Sequence, residues 1–205
     1  FTHCLGGMGI VVLAVALLDV FGAGGYQMVR AEAPGPGADK LSPQIAQTAK
    51  LLWGIYMLFT VVQIALLKLA GMNLFDATCH TFGTLATGGF STKSSSIGHY
   101  KDNLMINWII IVFMFLAGTN FVLHYQALKG KVGSYWKSME FKLYFLGTIF
   151  ISLFIFIVLM CTKPIPELYA ERSWVDTLTS SVFQTLAILT TTGYGTEDFN
   201  QWHNS

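Results

Sequence analysis

The run Thr191-Thr192-Gly193-Tyr194-Gly195 carries residue types that could bind a bare cation. A cation leaving water needs oxygen ligands in place of its hydration shell, and backbone carbonyls arranged as rings can supply them. Consecutive carbonyls face the same way only if some residues adopt φ > 0, which glycine does without steric cost. Gly193 is expected to sit at such a turn. Threonine adds a hydroxyl oxygen on a compact β-branched body, and Tyr194 would pack outward and hold the stretch at a fixed radius, with Gly195 behind it.

A second copy stands upstream. Leu85-Ala86-Thr87-Gly88-Gly89-Phe90-Ser91-Thr92 aligns without a gap on Leu189-Thr190-Thr191-Thr192-Gly193-Tyr194-Gly195-Thr196, and Thr81 falls on Thr185 in the same register. The candidate ion-binding residues are therefore Thr87, Gly88, Gly89, Thr191, Thr192 and Gly193, with Phe90, Tyr194 and Gly195 as supports. A lone string of this kind is a turn in many proteins. Two copies in matching surroundings point to a built element.

The surroundings are apolar. Of 205 residues, 53% are hydrophobic and 11% charged, against about 25% charged in ordinary soluble domains. Mean hydropathy is +0.55. The solvent for most of this chain is lipid, and an all-α integral membrane architecture follows. Crossing a bilayer takes about 20 apolar helical residues. Four segments qualify: Leu5–Val29, Leu51–Leu67, Leu104–Leu128 and Leu143–Thr162, the second extending back to a helix start at Ser42-Pro43.

Residues 74–86 and 174–189 are apolar but too short to span, and each runs into a Thr/Gly stretch. Irregular backbone cannot face lipid, so these half-helices must be buried in protein or line a water-filled cavity. An extracellular loop with some helix is the plainer alternative. If they point inward, their C-termini bring about half a negative charge toward the axis, favouring a cation.

Residues 1–30 then read as the closing membrane helix of a preceding unit. Residues 31–129 form a complete pore unit: helix 42–70, half-helix 74–86, filter 87–92 and helix 104–129. Residues 130–205 form an incomplete one: helix 138–162, half-helix 174–189 and filter 190–196. Alternate connectors collect seven and five Lys/Arg residues, placing the richer set in the cytoplasm and the Thr/Gly stretches outside. The chain opens Phe1-Thr2-His3 without a charged leader and stops just past a filter, so it is expected to be a fragment.

Other chemistry finds little support. The net charge of +1 suggests no nucleic-acid partner, and the three cysteines, Cys4, Cys79 and Cys161, form no metal or redox spacing. No His-Glu-x-x-His motif, Ser/His pair or Asp pair suggests an intramembrane enzyme. His80 has no second His or carboxylate at i+3 or i+4 and is expected in buried hydrogen bonds, while His124 is expected at the membrane interface. Asn120 could bond across helices or face the cavity below the filter. Asp19, inside the first span, is a functional candidate or a water-facing, partnered acid.

Thr191–Gly195 differs from the potassium-channel filter Thr-Val-Gly-Tyr-Gly at one residue. The whole chain resembles the Trk/Ktr/HKT superfamily of potassium transporters, closest to bacterial TrkH-type subunits. The carriers are Leu5-Gly6-Gly7-Met8-Gly9-Ile10, Ala31-Glu32-Ala33-Pro34-Gly35-Pro36, Lys40-Leu41-Ser42-Pro43, Gly88-Gly89-Phe90-Ser91-Thr92 and Leu189-Thr190-Thr191-Thr192-Gly193-Tyr194.

The resemblance implies four helix–half-helix–helix repeats around one pore with pseudo-fourfold symmetry, of which this chain holds about two. It implies potassium uptake across the cell inner membrane by a multi-pass homodimer, docked on a cytosolic nucleotide-binding regulatory subunit of TrkA type. Potassium is then the transported substrate, with no cofactor. A sodium-coupled or sodium-permeable relative is the alternative, and a fragment of this size should not conduct alone. The second filter departs from the pattern in lacking the Tyr-Gly ending and in placing Gly88 where the third has Thr192.

Overall fold

The computed structural model describes residues 45–161 and 173–197, with side chains from Leu51 onward. Asp19, the expected span within residues 1–30 and the helix start at Ser42-Pro43 lie outside the described residues. Every regular element among the described residues is helical.

Helix α1 (Ile45–Leu69) is 25 residues long, enough to cross a bilayer. It ends in a glycine C-cap motif: Gly71 takes φ 101°, Gly71 N–H donates to Lys68 O and Met72 N–H donates to Leu67 O. Two residues on, Asn73 caps the half-helix α2 (Leu74–Leu85) by accepting from Asp76 N–H at 2.7 Å. The chain therefore reverses within four residues, and α2 folds back against α1. A short 3-10 turn (Ser96–Tyr100) leads to α3 (Leu104–Ala117), capped by Asn103. Asn103 also donates from Nδ2 to Ala70 O at 2.9 Å, tying the start of α3 to the end of α1.

The expected continuous helix over residues 104–129 is two helices. α3 stops at Gly118, and α4 (Phe121–Leu128) leaves at 98°. The cause is local. Asn120 gains more by capping than by sitting inside a helix, and its side chain accepts from Val122 N–H at 3.0 Å. It therefore spends its side-chain oxygen on its own helix rather than on a bond across helices. The carbonyls freed at the break are claimed: Thr119 Oγ1 and Tyr144 Oη donate to Phe115 O, and His124 Nε2 lies 2.9 Å from Leu116 O. His124 Nδ1 lies 2.7 Å from the Tyr135 hydroxyl. His124 is thus buried at the bend rather than placed at an interface.

After the one-turn helix α5 (Ser134–Lys137), α6 (Met139–Cys161) supplies a second helix of spanning length, and α7 (Trp174–Leu189) is the second half-helix. α7 packs on α6 and on α3, so α3 is shared between the two half-helices. Ala77, Ile110, Met114, Phe183, Leu186 and Tyr194 meet in one buried cluster across that seam. A second cluster joins Ile55, Tyr56, Leu85, Phe113 and Phe121. Most apolar side chains of α6 point outward, Phe150 being 73% exposed. Such a face suits lipid or further protein, and the chain is an all-α integral membrane protein with repeated half-helix units.

Gly118 is one place where the two units press close together. A Cβ there would stand 2.7 Å from Tyr144 Oη and 2.8 Å from Thr190 Cγ2. Its φ of −76° suits any residue, so the constraint is steric alone. Gly118→Val in the intact protein should cost about 1–3 kcal/mol by overpacking. A lowered thermal unfolding midpoint in detergent would show it, and an unchanged midpoint would contradict this packing.

Candidate ion-binding filters

Each filter begins where a half-helix ends, and the two share one hydrogen-bond pattern displaced by 104 residues (Thr87 to Thr191). Ala86 N–H donates to Phe82 O as Thr190 does to Leu186 O. Thr87 N–H donates to Thr84 O as Thr191 does to Ile188 O, and Gly89 N–H to Gly83 O as Gly193 does to Ala187 O. The amides of each filter thus turn back onto their own half-helix. Among the described residues no hydrogen bond is accepted by the carbonyls of Thr87, Gly88, Gly89, Thr191, Thr192 or Gly193. Gly88 N–H adds a bond to Gly83 O that Thr192 does not repeat, so most of the donors are consumed while these acceptors are spared, the state a cation-binding backbone requires.

The backbone explains how. Gly89 and Gly193 have φ of 63° and 77°. Thr87 and Thr191 also have positive φ, at 49° and 57°, whereas Gly88 and Thr192 between them do not. Alternating hands turn successive peptide planes the same way. The threonine conformation was not anticipated, since positive φ is a genuine outlier for a β-branched residue. It costs on the order of 1–3 kcal/mol and persists only where the surroundings hold it. The two half-helix C-termini and the shared bonding pattern supply that hold.

The structure brings the two filters together. A Cβ on Gly89 would collide with the carbonyl of Thr192. Thr192 turns its side chain inward, its Oγ1 2.7 Å from Thr190 Oγ1, while Thr191 and Gly193 are exposed. Tyr194 is buried behind the filter, and its hydroxyl donates to His80 O of the preceding unit at 2.9 Å. Gly195 pairs with that unit too: its N–H donates to Ser96 Oγ at 3.3 Å and its carbonyl accepts from Gly98 N–H at 3.1 Å. Phe90, in the register of Tyr194, is 66% exposed.

His80 is fully buried in the hydrogen bonds expected of it. Its Nδ1 lies 2.7 Å from Asp76 O, a group that only accepts, so Nδ1 carries the proton. Nε2 then accepts from Ser91 Oγ at 2.9 Å. Among the described residues no cluster of His, Cys, Asp or Glu has the makings of a metal site.

Asp76 stands in the first turn of α2. Its buried carboxylate accepts from Thr92 Oγ1 at 2.5 Å, Asn73 Nδ2 at 2.7 Å and Tyr100 Oη at 2.8 Å, with Lys93 Nζ at 3.3 Å. The Thr92 hydrogen bond, helped by those of Tyr100, Lys93 and Asn73, holds the carboxyl well below the usual carboxylate range against the opposing push of burial. Burial and the bond to Asp76 push the Tyr100 phenol up to about 12. The register could have revealed this site, because Asp76 and Lys93 fall on Ser180 and Glu197, and Ser180 Oγ donates to Glu197 Oε1 at 2.8 Å.

Comparison with known proteins follows the same lines. Residues 1–205 match the family described as TrkH, cation transport protein. The Trk system potassium uptake protein TrkH of Vibrio parahaemolyticus is 44% identical over 206 positions, covering 98% of this chain and 41% of that protein. TrkH of Escherichia coli strain K12 is 43% identical over 199 positions, with 96% and 40% covered. Escherichia coli TrkG is 35% identical over 201 positions, with 97% and 40% covered. The crystal structure of the potassium transporter TrkH from Vibrio parahaemolyticus superposes with a TM-score of 0.76 at 37% identity, covering 99% of this chain and 39% of that one. The chain thus spans about two fifths of the relatives it matches. By their names these relatives are transporters, not enzymes.

Gly83 makes the cross-unit contact testable. A Cβ there would collide with the Tyr194 hydroxyl and stand 2.9 Å from Phe90 O. Gly83→Ala should destabilise the intact protein by about 1–3 kcal/mol, and Tyr194→Phe by about 1 kcal/mol. The double variant should lose less than the two summed, because removing the hydroxyl relieves the clash. A thermal-unfolding cycle in detergent measures this, and strict additivity would count against the contact.

Proposed function

This chain belongs to the TrkH family of cation transport proteins, and on that premise we propose that the intact protein takes up potassium across the bacterial inner membrane through a channel-like pore. The observation that carries the reading is the repeated filter backbone. Two stretches 104 residues apart share three backbone hydrogen bonds, the same positive-φ pair and, among the described residues, the same unclaimed carbonyls.

In this reading the carbonyls of Thr87, Gly88, Gly89, Thr191, Thr192 and Gly193 replace part of the water shell of potassium. The C-termini of α2 and α7 add partial negative charge from behind. Phe90, Tyr194 and Gly195 support the filters. Two further filters, in repeats beyond this chain, complete the ring, and the repeat boundaries expected at residues 31–129 and 130–205 define the units.

The intact protein works in a multi-pass homodimer with a cytosolic nucleotide-binding regulatory subunit of TrkA type. Lys129, Lys131, Lys137 and Lys142 are exposed on the connector available to that partner. The relatives carry potassium uptake in their names, which supports potassium over the sodium-permeable alternative.

The intact protein should restore growth of a potassium-uptake-deficient bacterium in low potassium, and Gly193→Asp should abolish that rescue. Normal transport by the Asp variant would remove Thr191–Gly193 from the filter. Uptake of sodium in preference to potassium would favour the alternative.

A further inference from the structure

Resting on the reading of Thr87–Gly89 and Thr191–Gly193 as ion filters, we propose that Asp76 is a selectivity-determining positioning residue, its buried carboxylate fixing how far apart the trailing ends of the two filters stand. Asp76 is 2% exposed and touches no filter carbonyl, so it acts through other groups. On one side it holds Thr92 and Lys93, two and three residues past Phe90, and so anchors the end of the first filter to the start of its half-helix. On the other it holds Tyr100, the last residue of the 3-10 turn whose Ser96 and Gly98 grip Gly195. One carboxylate thus sits between the ends of both filters.

The next unit keeps the bracket and inverts its chemistry. There the acid is Glu197, behind the filter, and its partner on the half-helix is Ser180, the counterpart of Asp76. The acid recurs while its position swaps sides, so the fold requires a bridge between half-helix and trailing segment. A negative charge at one fixed place is not what recurs.

Discrimination between potassium and sodium depends on how the carbonyl ring resists closing on the smaller ion. A buried carboxylate makes charge-assisted hydrogen bonds roughly twice as strong as neutral ones. Asparagine has the same shape but would offer donors to the hydroxyls and ammonium that now donate to Asp76. The bracket would slacken, and the ring would relax around sodium.

The experiment reconstitutes the full-length protein in liposomes and measures potassium and sodium uptake separately, with folding checked by gel filtration. Asp76→Asn should lower the potassium-to-sodium ratio about tenfold, the value of one hydrogen bond to a charged group. Thr92→Val removes one such bond to the same carboxylate and should lower it by about the same factor. Asp102→Asn removes an exposed acid nearby and should leave the ratio unchanged. A parent protein that transports neither ion would sink the filter reading and this proposal with it. A selective parent whose folded Asp76→Asn and Thr92→Val variants keep its ratio would overturn the proposal alone. If Asp76→Asn does not fold, Thr92→Val decides by the same criterion. A drop with Asp102→Asn equal to that with Asp76→Asn would assign the effect to surface charge and overturn it as well.

Discussion

In a bilayer a backbone amide or carbonyl has no water to turn to, and leaving one unpaired costs several kcal/mol. Every irregular stretch here is shaped by that constraint. At the end of α1 the glycine cap closes the last carbonyls. At the bend between α3 and α4, side chains from Thr119, Tyr144 and His124 take the carbonyls that the break releases. At the filters Gly88, Gly89 and Gly193 fold their amides back onto Gly83 and Ala187, and among the described residues the filter carbonyls accept no hydrogen bond. Among the described residues, two such runs of unclaimed carbonyls follow the ends of the two half-helices.

Much of this was legible in the sequence, because the strongest signals there are physical. Apolar length marks a span, and an apolar segment too short to span marks a half-helix. A glycine in a repeated Thr/Gly run marks positive φ, as Gly89 and Gly193 show. What could not be read depends on contacts between distant residues. Thr87 and Thr191 are strained by their surroundings, and nothing in a threonine announces that. The break at Gly118 was hidden because Gly-Thr-Asn is tolerable inside an apolar helix, and the Asn120 cap with the donors from Tyr144 and His124 decides against it. Asp76 looked like an ordinary turn acid, since its partners stand up to 24 residues away.

The pseudo-symmetry is close in backbone and loose in side chains. Gly83 faces the Tyr194 hydroxyl where Ala187 stands in the next unit, and buried His80 has Gln184 in its register. Hydrogen-bond geometry is kept while the groups that enforce it drift, as expected of fused repeats that each meet a different neighbour.

The contacts of Tyr194 and Gly195 run in one direction. Both reach back to His80, Ser96 and Gly98, residues made about a hundred positions earlier. A ribosome delivers the earlier unit first, and chain segments fold in the order they emerge. The surface that receives the later filter is thus already built when that filter arrives. Along this seam the later stretch is cast against the earlier unit, so damage to His80, Ser96 or Gly98 would be passed on to the stretch that leans on them.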